Sequence, residues 1–331
     1  MGRSPPSYRF PTFHPHRLLR GGHAQTIAGV YVPHRRIRYS ARQVEISLPD
    51  GDRTLLHDDR PAEWKPGDRC VLLLHGLGGS HLSPHMVRIA SKLNARGVRA
   101  FRLDLRGHGA AWQLARHPGH AGRSEDALAA VRQIARECPG SPLSMVGVSM
   151  GGNIVLKLLG ELGDEAVDMI RQALVIAPPI DLAACSLNLL ARANRVYARV
   201  FLRELQAQVK LRGSILKGSE SLKIPRPPRN LWEFDDLVTA PLSGFAGAVD
   251  YYQQCSAIHR VSSIRVPTTV LSAADDPLIP SKIFDAAKWS ASTHFHLTPF
   301  GGHVGFLGEA GRDPDRRWLD WRVVDWESHE T

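Results

Sequence analysis

No acidic residue occurs in the first 42 positions of this 331-residue chain, although eight arginines do. Cysteine is scarce: Cys70, Cys138, Cys185 and Cys255 stand far apart, and none belongs to a C-x-x-C pair. That spacing excludes a disulfide framework and a zinc ribbon, and suits reduced, packed thiols in a cytoplasmic protein. No apolar run approaches the roughly 18 residues that a membrane-spanning helix needs. The N-terminus is basic and rich in Pro and His, without the apolar stretch of about 7–15 residues that marks a secretory signal. Internal repeats and low-complexity tracts are also missing. The expected location is therefore cytoplasmic.

What is present is the composition of an ordinary globular protein, 43% apolar and 22% charged. The net charge of +10 is unevenly spread. Residues 192–229 carry ten Lys or Arg against Glu204 and Glu220, so the basicity sits in two local segments and the remaining chain is net negative. Basic patches of this kind suit anionic lipid headgroups or nucleic acid, or are simply solvated. Aromatic residues make up only 7%, and no nucleic-acid motif or interleaved aromatic platform accompanies the charge, so no nucleic-acid partner is expected. Peripheral contact with an anionic membrane surface stays open.

Residues 1–42 show little periodicity, and Pro5, Pro6, Pro11, Pro15 and Pro33 favour an extended surface arm. Val44–Leu48, the Pro49-Asp50-Gly51 turn and Arg53–His57 read as a hairpin. From Cys70 the rhythm becomes strand, helix, strand. A continuous apolar run at 70–74 has the character of a strand buried on both faces, and further strands are read at 98–105, 143–148, 173–177 and 268–273. Helical patterns follow at Pro84–Ala95, at Ser124 onward with Ser124 as N-cap, after Ser149, and at Ser281–Trp289. A strand at 294–297 and a Trp-rich terminal helix close the chain. This alternation predicts an α/β fold, a mostly parallel sheet with helices on both faces and right-handed crossovers. Residues 182–262 interrupt it with a basic helical stretch (189–209), a Pro/Arg-rich loop (224–229) and an aromatic segment (232–252). They read as an inserted cap within a 43–331 domain.

The chemistry centres on Gly147-Val148-Ser149-Met150-Gly151. A bare Gly-x-Ser-x-Gly is a weak signal. Between a buried strand and a helix it becomes a nucleophile elbow, with glycines that let neighbouring backbone pack around an exposed serine hydroxyl. A serine needs a histidine to take its proton and a carboxylate to fix the imidazole. Two downstream strand ends offer them: Ala273-Ala274-Asp275-Asp276-Pro277, and Gly301-Gly302-His303-Val304-Gly305. Asp276 is preferred over Asp275 because its spacing to Pro280 leads into the next helix, leaving Asp275 to brace the turn. Leu74-His75-Gly76-Leu77-Gly78-Gly79 follows a buried strand, and the Leu77 and Met150 amides suit an oxyanion hole. His81-x-x-x-His85 lacks an adjacent Glu and begins a helix at Pro84, so no metal and no cofactor is expected. His23, Gln25 and Thr26 are read as hydrogen-bonding groups that pin the arm to the core.

The pattern across residues 65–305 resembles the α/β-hydrolase superfamily. More narrowly it resembles the YheT-like branch with its ABHD1/ABHD3-type members. The resemblance rests on Gly22-His23-Ala24-Gln25-Thr26, His75-Gly76-Leu77-Gly78-Gly79-Ser80, Leu105-Arg106-Gly107, His120-Ala121-Gly122 and Gly147–Asn153. It continues through Glu233-Phe234-Asp235, Tyr251-Tyr252, Asp275-Asp276-Pro277 and Gly301–Phe306. His108-Gly109 after the Arg-Gly pair departs from many relatives. The resemblance implies a serine carboxylesterase or lipid-acyl hydrolase acting through Ser149, Asp276 and His303 on a small-molecule or lipid ester. A phospholipase or thioesterase on the same triad, and a non-catalytic ligand-binding protein of this fold, are the alternatives.

Overall fold

The computed structural model describes residues 8–33, 37–38, 41–222 and 224–329; Pro5 and Pro6 lie outside them. Among the described residues, eight strands form one sheet in the order β1-β2-β4-β3-β5-β6-β7-β8. β1 (Arg42–Ser47), β2 (Arg53–Asp59) and β4 (Arg99–Leu103) pair antiparallel through β2. β4, β3 (Cys70–Leu74), β5 (Leu143–Val148), β6 (Gln172–Ile176), β7 (Thr268–Ala273) and β8 (Thr293–Thr298) are parallel. Every residue of β3 to β7 is buried, as strands covered on both faces require.

The strand order fixes where the helices go. The crossover from β3 to β4 runs one way along the sheet, and those from β4 to β5 and β5 to β6 run the other. Right-handed connections then place α2 (Pro84–Asn94) on one face, and α3 (Ser124–Glu137) and α4 (Met150–Leu162) on the opposite face. α2 packs on the terminal helix Trp318–Ser328, and α3 packs on α4. The reversal lies between β3 and β5, where Leu74 is level with Gly147. At such a switch point the loops leave in opposite directions and open a crevice at the carboxyl ends of the strands. Among the described residues no helix is long and apolar enough to cross a membrane.

Four local expectations differ from the structure. The arm is not extended throughout, because Gly22–Tyr31 forms a helix, α1. It buries polar Gln25 and Thr26 and exposes Ile27, Val30 and Tyr31, the reverse of the usual periodicity. Ser124 is the first helical residue and not a cap, since its hydroxyl bonds Glu161 (2.5 Å) and receives Lys157 (3.0 Å) from α4. The helix expected at 281–289 is a single turn, Lys282–Asp285. Its continuation is pre-empted by the Trp289 indole, which donates to the Phe284 carbonyl at 3.3 Å. The basic helix begins later than expected: α5 (Leu182–Asn188) and a 3-10 turn precede α6 (Arg195–Arg212).

Candidate active site

β5 ends at Val148, and Ser149 turns the chain into α4 with φ 53° and ψ −121°. That left-handed region costs a non-glycine residue on the order of 1–3 kcal/mol and persists only where the surroundings impose it. Here they do. A Cβ on Gly151 would stand 2.5 Å from the Leu74 carbonyl oxygen, and one on Gly147 would stand 2.6 Å from the Gly151 oxygen. Only glycine lets β3, β5 and α4 meet this closely. The Ser149 amide is tied across the sheet to the Ile176 carbonyl at 2.8 Å.

The strand ends downstream bring two more groups to this serine. His303 Nε2 lies 3.0 Å from Ser149 Oγ, and His303 Nδ1 lies 2.8 Å from Asp276 Oδ2. The other carboxylate oxygen of Asp276 accepts the Leu278 and Ile279 amides at 2.8 and 3.0 Å. With Oδ1 committed to those amides, Oδ2 is left to accept the Nδ1 proton, which keeps Nε2 as acceptor for the serine hydroxyl. Asp275 faces elsewhere: its Oδ1 accepts the Gly302 amide at 2.8 Å, and burial raises its pKa.

Leu77 and Met150 line the same cavity as Ser149 and His303. Met150 is the first residue of α4, where amides lack intrahelical acceptors. The Gly76 backbone passes so near that a Cβ there would lie 3.0 Å from the Ser149 Cβ. His75, in the same motif, has a structural role. It is completely buried, its Nε2 accepts the Leu105 amide at 3.0 Å, and desolvation pushes its pKa down to about 3.

The His303 loop is held from the N-terminal side. Thr26 Oγ1 accepts the His303 amide at 2.8 Å while donating to the Gly22 carbonyl at 2.7 Å. Gln25, fully buried, donates to the Leu19 and Leu307 carbonyls and accepts the Leu307 amide at 2.7 Å. His23 turns outward and meets the Tyr197 hydroxyl at 3.1 Å.

The cavity above Ser149 has a volume of about 140 Å³ and walls largely of apolar side chains from 179–279, among them Leu182, Leu189, Phe201, Leu231 and Ile279. Its polar interruptions include Asp235, Tyr252 and Gln208. Asp235 takes hydrogen bonds from Tyr252 (2.7 Å) and Thr239 (2.7 Å), and desolvation raises its pKa to about 6. Sequence reasoning quoted Asp235 and the tyrosines without giving them a role. Asn153, quoted only as the end of the Gly147–Asn153 motif, is a fully buried side chain of α4 that clamps Ala121, Cys255 and Ala257.

Among the described residues, two groups have metal-like spacing, His57–His81–Asp104 and Asp50–Asp52–His117. In the first, Asp104 accepts both imidazoles at 2.9–3.0 Å and the His81 and Ala110 amides. In the second, the carboxylates face the Arg106 guanidinium. Hydrogen bonds and a resident cation account for both groups. His85 is not grouped with His81; burial drives its pKa down to about 4.

Residues 65–304 match the family model described as Serine aminopeptidase, S33 (Hydrolase_4). The chain belongs to that family. Among curated members, the "Putative esterase YheT" of Escherichia coli is 32% identical over 88% of this chain and 86% of its own. The mouse "Phospholipase ABHD3" is 30% identical over 72% of this chain and 58% of its own length. In fold, the Pyrococcus furiosus esterase Pf2001 superposes with a TM-score of 0.56 at 16% identity, over 89% of this chain and 98% of that one. The α/β-hydrolase fold implied by the sequence resemblance is the fold of this chain.

Proposed function

We propose that the protein hydrolyses carboxylic esters through an acyl-Ser149 intermediate. The observation that carries this reading is the unbroken chain from Ser149 Oγ to His303 Nε2 (3.0 Å) and from His303 Nδ1 to Asp276 Oδ2 (2.8 Å). Ser149 Oγ attacks the ester carbonyl as His303 takes its proton, and Asp276 stabilises the imidazolium. The Leu77 and Met150 amides receive the oxyanion. Removing one such donor typically costs about 100- to 1000-fold in kcat. The tetrahedral species collapses, His303 returns the proton to the leaving alkoxide, and the acyl group stays on Ser149. Water, deprotonated by His303, then releases the carboxylic acid.

The apolar cavity favours the acyl side of a small-molecule or lipid ester, in keeping with the esterase and phospholipase names of the relatives. A fluorophosphonate probe tests the nucleophile: it should label wild type at Ser149 and leave Ser149→Ala unlabelled. Equal labelling of both, or none of a folded wild type, ends the proposal. p-Nitrophenyl esters of rising chain length, assayed beside an acyl-CoA and a phosphatidylcholine, separate esterase from thioesterase and phospholipase. A non-catalytic binder would turn over none of them.

A further inference from the structure

α1 carries its apolar side outward. Ile27, Val30 and Tyr31 fall at helical spacing on one face, and Val30 and Tyr31 are 62% and 78% exposed. The insertion does the same. Leu190, Val196 and Val200 are exposed, Val196 by 65%, although neighbouring Leu189 and Phe201 point inward and line the cavity. Water-facing branched aliphatics gathered at one place are unusual in a soluble chain unless something covers them.

The two strips are joined. His23, one turn before Ile27, stacks on Tyr197, between Val196 and Val200, with rings 5.7 Å apart and 6° from parallel. Both also rest on the loops of the candidate active site. Thr26 holds the His303 amide, and Asn188 and Asn194 donate to the Pro277 carbonyl at 2.8 Å. The charge beside them has one sign. Arg192, Arg195, Arg199 and Arg203 recur at spacings of three and four, are exposed, and flank the Val196–Val200 stripe. No acid occurs between Leu182 and Arg203, nor between Tyr8 and Pro33. The next carboxylate, Glu204, leans on Gly78 of the loop after β3.

Apolar side chains flanked by arginines match the two layers of an anionic lipid surface, acyl chains below phosphates. We propose that α1 and the α5–α6 segment form one docking surface for an anionic bilayer. The inner side chains of that segment wall the cavity while its outer ones meet lipid. An ester leaving the bilayer then has only the thickness of one helical layer to cross. This surface stands independently of the acyl-enzyme reading.

The test is flotation of the full chain with vesicles of phosphatidylcholine, alone or with about 30 mol % phosphatidylglycerol. The protein should float with the anionic vesicles only. Joint substitution Arg195→Ala, Arg199→Ala and Arg203→Ala should weaken binding on the order of 100-fold, at roughly a factor of five per arginine near the surface. Val196→Ser with Val200→Ser should weaken it about tenfold through lost apolar burial. Both variants should keep the wild-type melting temperature and the wild-type rate on a water-soluble acetate ester. No flotation with anionic vesicles, equal binding to neutral ones, or indifference to the valine changes overturns the proposal. So does binding to polyuridylate that depends on the arginines, ignores the valines and outcompetes the vesicles. Because the ester rate is read on the same preparations, an inactive protein that floats would sink the proposed activity and leave this surface standing.

Discussion

Replacing Asp235 by Asn should stabilise the protein, and by an amount that depends on pH. Asp235 sits in the apolar wall of the cavity, and burial raises its pKa from 3.8 to about 6 despite hydrogen bonds from Tyr252 and Thr239. The folded state therefore holds a proton that the unfolded chain has already released between those two values. Stability falls as pH rises through that window and levels off above about pH 6. That difference in pKa corresponds to about 3 kcal/mol. Asn has the same shape and no charge. Its carbonyl can accept from Thr239, while its amide donates to Tyr252, whose hydroxyl can turn its single proton to Ser186 Oγ at 3.0 Å. Asp235→Asn should thus match wild type near pH 4 and exceed it by about 1–3 kcal/mol at pH 8, the lower end allowing for solvent entering the cavity. Urea denaturation at the two pH values measures this. A variant less stable than wild type by the same margin at both would refute the reasoning, since Asp235 would then be a well-paired carboxylate rather than a desolvated one.

Three other substitutions probe the supports of the site. Thr26→Val keeps the side-chain shape but removes the acceptor for the His303 amide; kcat on a soluble ester should fall about tenfold with little change in KM, at about 1–2 kcal/mol of stability, and Thr26→Ser should restore both. Gly151→Ala forces a Cβ against the Leu74 and His75 carbonyls, so despite the better helix propensity of Ala it should cost about 2–4 kcal/mol and most of the activity. Asn153→Leu strands two carbonyls and the Ala257 amide, and a loss of about 3–5 kcal/mol in chemical denaturation is expected. A loss below about 1 kcal/mol would mean that the insertion does not depend on that clamp.

The central strands were legible because a strand covered on both faces carries mostly apolar residues without a regular polar alternation. Cys70–Leu74 and Thr268–Ala273 were read with their observed limits. The Ser149 turn was legible for a related reason, since close approach of three elements leaves room only for glycine and so marks the sequence. Where a polar group is spent on a distant partner, local rules misled. Ser124 looks like a cap but serves α4, and the Trp289 indole ends a helix that the sequence pattern would continue. Asp235 carried no local mark of its environment, because its surroundings include side chains from other elements, such as Tyr252 and, through the Tyr252 hydroxyl, Ser186 of α5.

α1 is the clearest case of a helix that the usual apolar periodicity does not mark. Periodicity assumes that apolar side chains face the core, and here the core side of the helix is Gln25 and Thr26. Their hydrogen bonds to Leu19, Leu307 and His303 replace the burial of apolar area that normally fixes a helix. A helix fixed in this way is free to present Ile27, Val30 and Tyr31 outward. The same polar contacts carry the position of α1 to the His303 backbone. A lipid surface pressing on the outer face would therefore act on a helix whose inner face already holds the His303 backbone amide, so on the proposed mechanism Thr26→Val should reduce turnover on vesicle-borne ester at least as strongly as on soluble ester.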